Sequence, residues 1–157
     1  DARFSVRMPD SWTPIFDLSD KDKVERTLLA AEPQINALIR RILCRDRGDF
    51  MRAKVPMFAV RLYYPHYGQA RRTARFAATG ACIGCGLCAK NCPVSAIELR
   101  AGRPVWTKKQ CVMCLSCLHR CPKFAIQYGG KTAKHGQYVH PPYEGDPSFP
   151  ARGLSRK

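Results

Sequence analysis

Residues 82–98 read CIGCGLCAKNCPVSAIE, and residues 111–127 read CVMCLSCLHRCPKFAIQ. At an offset of 29 residues, four cysteines, a proline, an alanine and an isoleucine coincide. Each stretch is C-x2-C-x2-C-x3-C-P, so the chain carries one small unit twice. Cysteines this dense staple secreted mini-proteins or hold metal. Neighbours at i and i+3 on one loop pair badly as disulfides, and a reducing compartment would open such bonds. Zinc sites present separated C-x2-C pairs rather than a triple run closed by Cys-Pro.

The spacing suits an iron–sulfur cubane. Its four iron corners each need one soft thiolate, and three cysteines on a tight loop wrap three of them. In two-cluster proteins the fourth cysteine of such a run ligates the other cluster. Cluster I is therefore assigned to Cys82, Cys85, Cys88 and Cys121. Cluster II is assigned to Cys111, Cys114, Cys117 and Cys92. Gly84 and Gly86 free the first loop for unusual φ angles. The second has Met113 and Leu115 there, so it should be bulkier and better shielded, and the clusters inequivalent. The fourth cysteines are expected on short helices started by Pro93 and Pro122. His119 reads as a surface residue, because eight thiolates already complete two sites.

Working outward, Phe76–Gly80 leads into the first loop. Ile97–Leu99, a turn at Ala101–Gly102 and Pro104–Trp106 lead into the second, and Ala125–Tyr128 closes the unit. Trp106, Phe124 and Tyr128 are expected to shield clusters. The block holds few large apolar residues, so metal ligation should carry its folding energy and the apo form should unfold.

Upstream, Phe4, Val6 and Met8 alternate with charged or polar residues, the period of a half-buried strand. Ser19 is positioned to cap a helix whose apolar positions are Val24, Leu28, Ala31, Ile35, Leu38 and Ile42. Pro33 should kink or divide it, and Cys44 should pack at its end. This strand and helix have no evident partner in the chain, which makes residues 1–47 an unfinished α/β layer. Residues 48–74 read as a basic linker whose aromatics, Phe58, Tyr63, Tyr64 and Tyr67, pack on a neighbouring domain. Residues 131–157 are a tail, its first part wrapping the preceding domain and its last disordered from about Gly145.

The formal charge is +15, from 27 Lys and Arg against 12 Asp and Glu. No acid occurs between Phe50 and Ile97. Such an imbalance suits docking on something acidic, whether a redox donor or acceptor protein, nucleic acid or lipid headgroups, or else reflects an arginine excess spread over solvated faces. No apolar run reaches the length of a membrane span, and the expected location is the cytoplasm.

Residues 75–130 resemble a bacterial-type two-cluster [4Fe–4S] ferredoxin domain. A wider likeness rests on FSVRMPDSW, DLSDKDKVERTLLAAEPQI, GRPVW and HRCPKFAIQYGGKT. Together these resemble the C-terminal two-thirds of flavodoxin–ferredoxin fusion proteins of anaerobes. The resemblance implies an α+β fold: a ferredoxin-like, pseudo-twofold 2×[4Fe–4S] domain after an incomplete flavodoxin-like α/β remnant. It implies that the opening strand joins a parallel sheet whose earlier strands lie upstream of Asp1. None of the family's FMN-binding loops is in this sequence, so FMN is expected only in an intact fusion protein.

The function expected is single-electron transfer through two [4Fe–4S] clusters, with no catalytic residue. The alternatives are the C-terminal part of an FMN-dependent oxidoreductase, or a zinc- or nucleic-acid-binding module.

Overall fold

A computed structural model describes residues 1–51 and 55–140. The opening strand, β1 (Ala2–Phe4), is shorter than the alternation from residue 2 to 8 suggests. Its partner lies within the chain. β2 (Gly48–Phe50) pairs with it in parallel, in the register Ala2–Gly48 to Phe4–Phe50. Phe4 and Phe50 stack with ring centroids 5.1 Å apart, and Arg3 meets Asp49 at 2.8 Å. The expectation that this strand lacks a local partner is thus corrected. GDF is too short to show a period, and its pairing becomes visible only once the helix between the strands brings it back. This pairing crosses the expected boundary at residue 47.

That connecting helix, α1 (Lys21–Leu43), is one continuous element with Pro33 inside it, neither divided nor ended there. Asp20, not Ser19, is the N-cap: its carboxylate accepts from Lys23 N–H at 2.9 Å. Ser19 N–H instead donates to Asp17, closing a turn. Only Ala31 is buried along α1, and Ile35 and Ile42 of the expected stripe are exposed. Cys44 forms the C-cap and is exposed rather than packed.

The second helix, α2 (Met57–Ala70), buries no residue. Its rings Phe58, Tyr63, Tyr64 and Tyr67 are exposed, correcting the expectation that they cover a neighbouring domain. Its end is nonetheless fastened. Tyr128 Oη donates to Ala70 O at 2.8 Å, and Arg71 Nε donates to Cys111 O at 2.7 Å.

The cysteine-rich block is built on two antiparallel strand pairs. β3 (Phe76–Ala78) pairs with β6 (Ile126–Tyr128), so the first and last strands of the duplicated unit meet. β4 (Ile97–Arg100) and β5 (Arg103–Trp106) form the hairpin expected around Ala101–Gly102. Both turn residues have positive φ, 47° and 73°. Two four-residue helices, α3 (Leu87–Lys90) and α4 (Ser116–His119), occupy equivalent places in the repeats. They start one residue before the third cysteine and end before the fourth. The expectation that the prolines start helices bearing the fourth cysteines is corrected: Pro93 and Pro122 lie in the turns that follow. The core joins Phe76, Met113, Leu115, Leu118, Ile126 and Tyr128, with Trp12, Trp106 and Phe124 packed against it.

Segments flanking the repeats on both sides close over α4. Trp12 and the buried Thr13 and Leu18 come from the N-terminal side; Thr132 of α5 (Thr132–His135) comes from the other. Leu18 N–H donates to His135 O at 2.8 Å, and His135 Nδ1 lies 2.6 Å from Thr13 O. Residues 132–140 are therefore a structural strap. The disorder expected from about Gly145 falls outside the described residues. Among those residues, no helix is long and apolar enough to cross a membrane.

Candidate metal centre

The repeated sequence produces a repeated backbone. Positive φ occurs at Gly84, Gly86 and Ser95 (67°, 76°, 48°) and at Met113, Leu115 and Phe124 (51°, 54°, 48°). Each trio is the other's counterpart at the same offset. Left-handed backbone is open to glycine but costs other residues about 1 kcal/mol or more. In the first loop the need for glycine is steric as well. A β-carbon at Gly84 would stand 2.7 Å from Gly102 O, and one at Gly86 would meet Leu99 at 3.0 Å. In the second loop, Met113 and Leu115 accept the same conformation, and their side chains are buried in the core. Burial of roughly 1.5–3 kcal/mol per large apolar side chain offsets the backbone cost.

Each loop wraps a small cavity, and each cavity is completed by the other repeat. One is lined by Cys82, Cys85 and Cys88 of the first loop and by Cys121 of the second repeat. The other is lined by Cys111, Cys114 and Cys117 and by Cys92 of the first repeat. The two cavities are of similar size. The exchange extends past the cysteines. Pro122 and Ile126 line the first cavity, and their equivalents Pro93 and Ile97 line the second. The crossing follows from the short helices, which carry the chain away from its own loop before the fourth cysteine.

Backbone groups attend the sulfurs. Ala96 N–H donates to Cys92 Sγ and Ala125 N–H to Cys121 Sγ, both at 3.2 Å; Met113 N–H donates to Cys111 Sγ at 3.4 Å. Burial pushes the Cys117 thiol up to about 12, helped by the nearby Cys114, Cys111 and Cys88 sulfurs. Burial also raises Cys88 and Cys111. Such thiols ionise when a cation takes up the charge, which is the behaviour of metal ligands. All nine cysteines are free thiols. Among the described residues, no three His, Cys, Asp or Glu side chains converge closely enough to hold a single metal ion. Four sulfurs spread around a cavity suit the corners of a cubane better than one ion with bonds of about 2.3 Å. The donor set, four cysteines around each cavity, fits an iron–sulfur cluster.

Residues 68–126 match the family model of the 4Fe-4S dicluster domain. The match supports an iron–sulfur domain of ferredoxin type over that segment. No curated protein matches the chain.

The two cavities of the dicluster segment differ in lining. Gly84, Gly86 and Leu99 border the first, whereas Phe76, Trp106 and Leu115 border the second. Trp106 and Phe76 stack at 5.4 Å, and Phe76 meets Tyr128 edge-on at 4.8 Å. Leu115 is 2 % exposed, so the second loop is the more heavily covered.

The placement of His119 on the surface is corrected: it is 6 % exposed. Tyr138 N–H donates to its Nδ1 at 3.1 Å, so Nε2 carries the hydrogen and donates to Ser11 O at 2.6 Å. Desolvation holds its imidazole below the usual range, partly opposed by the bond to Ser11. Gln137 Nε2 is 2.8 Å from His119 O, 3.1 Å from Cys121 O and 3.2 Å from Leu118 O, satisfying the carbonyl end of α4. This clamp behind Cys117 and Cys121 was not read from the sequence. No local pattern signals it, because the partners of His119, Ser11 and Tyr138, are remote in sequence.

Proposed function

We propose that the chain is a single-electron carrier with two [4Fe–4S] clusters. Cys82, Cys85, Cys88 and Cys121 hold one, and Cys111, Cys114, Cys117 and Cys92 the other. The observation that carries this reading is the pair of cavities, each lined by three cysteines of one run and the fourth of its repeat. When bound, such a cluster supplies a one-electron couple without proton transfer or bond breaking at the protein. The chain's own residues supply thiolates, the N–H groups of Ala96 and Ala125, and the apolar cover of Leu115, Phe76 and Trp106. Hydrogen bonds to sulfur and exclusion of water are the levers that set a cluster's potential.

The cysteines are ligands in this reading, and the protein is an electron carrier rather than an enzyme. The cytoplasm suits such thiols. Acidic one-electron proteins are the proposed donor and acceptor, because the chain is strongly basic. The fusion alternative, in which residues 1–47 complete an FMN-binding domain, draws on the incompletely covered stripe of α1.

Anaerobically prepared protein should contain about eight irons and eight acid-labile sulfides. Two zinc ions without sulfide would overturn the reading.

A further inference from the structure

Beside the second cavity lies an open groove of about 1080 Å³ between the segment carrying β3 and the segment carrying β5. The two segments are joined at one end, where Arg72 bridges Gln110 and Thr73 N–H donates to Lys109 O at 3.1 Å. Arg72, Arg103, Lys108 and Lys109 line the opening, and all four are exposed. Among the described residues, no Asp or Glu lines it. Its wall includes Phe76 and Trp106, which also line the second cysteine cavity. One layer of side chain therefore separates the groove from the space ringed by Cys92, Cys111, Cys114 and Cys117.

We infer that this groove is the docking site for an acidic segment of the redox partner protein; the inference rests on the electron-carrier reading above. Charge complementarity selects the occupant. Four cations without a carboxylate favour an anionic surface and steer its approach. An open groove buries too little of a small anion to hold it, since small-molecule sites enclose most of their ligand. A protein segment can lie along the groove and spread carboxylates over cations at both ends. β3 and β5 each have a sheet partner on one side only, so backbone groups can join the contact. A partner seated there would face the more covered cavity across Phe76 and Trp106.

The test uses the full-length holoprotein under anaerobic conditions and a fluorescein-labelled peptide of twelve glutamates, read by fluorescence anisotropy at low salt. Arg103→Glu/Lys109→Glu reverses charge in the groove. Lys23→Glu/Arg26→Glu makes the same net change on α1. The groove variant should weaken binding at least about tenfold and the α1 variant less than about threefold, since contact charges act above the general field. Equal weakening by both variants, or none by either, would overturn the groove as the site. A twelve-nucleotide thymidylate that binds more tightly than the peptide, with the same sensitivity to the groove variant, would make the occupant a nucleic acid. Tripolyphosphate displacing the peptide at equal concentration would make it a small-anion site, and either result overturns the protein partner. Iron and sulfide counts on the same samples separate two failures. Absent clusters sink the electron-carrier reading, whereas intact clusters with no groove-specific loss sink only the docking site.

Discussion

Gly84 of the first cysteine loop lies against the carbonyl of Gly102 in the β4–β5 turn, so close that a β-carbon would stand 2.7 Å from that oxygen. The loop that carries Cys82, Cys85 and Cys88 is thereby seated on a hairpin of its own repeat. Gly84 is also left-handed, with φ of 67°. Gly84→Ala should cost about 1–3 kcal/mol in backbone strain, with a steric clash in addition. Its damage should be confined to one side: iron should fall toward half, and EPR of the reduced protein should lose the signal of the Cys82 loop's cluster. Loss centred on the Cys111 loop would contradict this account.

The proposed crossed ligation predicts a second asymmetry. Cys92 precedes β4 in the first repeat but lines the cavity of Cys111, Cys114 and Cys117. Cys92→Ser should therefore disturb the second cluster, whereas Cys88→Ser should disturb the first. The pair of variants is read by iron content and EPR of reduced samples. If both lose the same cluster, the assignment of ligands fails.

His119 joins Ser11 and Tyr138 while nearly out of contact with water. Its pKa is depressed by burial, so the folded state prefers the neutral ring. The stability this contributes is present above the unfolded imidazole value of about 6.5 and is lost as pH falls through the lower folded value. Protonation would also break the bond that Nδ1 accepts. The urea midpoint of the anaerobic holoprotein should drop between pH 7.5 and 5.5, and His119→Gln should flatten that drop. At pH 7.5 the variant should lose about 1–3 kcal/mol, the cost of disturbing a buried hydrogen-bonded group. An unchanged pH slope would remove His119 from the explanation.

Removal of iron should test what holds the block together. Among the described residues, the buried cluster of the core contains six, and cysteines of both cavities pack directly against it. A core this small does not hold a domain unaided, so metal binding free energy becomes folding free energy. Chelation after oxidation should abolish the near-ultraviolet signals of Trp106 and Tyr128 and make residues 75–130 sensitive to trypsin. A colourless protein with native dispersion of its amide resonances would defeat the expectation.

How far the amino-acid order alone specifies this molecule depends on the range of the interaction. The duplicated C-x2-C-x2-C-x3-C-P run determined the ligand candidates and the two loops, because thiolate spacing and the local φ preferences of glycine act within a few residues. The hairpin at Ala101–Gly102 was legible for the same reason. Tertiary structure decided the rest. Phe50 could be recognised as the neighbour of Phe4 only after α1 brought two distant three-residue segments side by side. His119 went inside because Ser11, Gln137 and Tyr138 arrive from opposite ends of the chain and exclude water from it. Met113 and Leu115 hold a glycine-like backbone because burial offsets its strain. The basic groove beside Trp106 exists because two segments distant in sequence are brought together at Arg72 and Gln110. Contacts between residues remote in sequence leave no local mark, and their free energy is realised only when the chain closes.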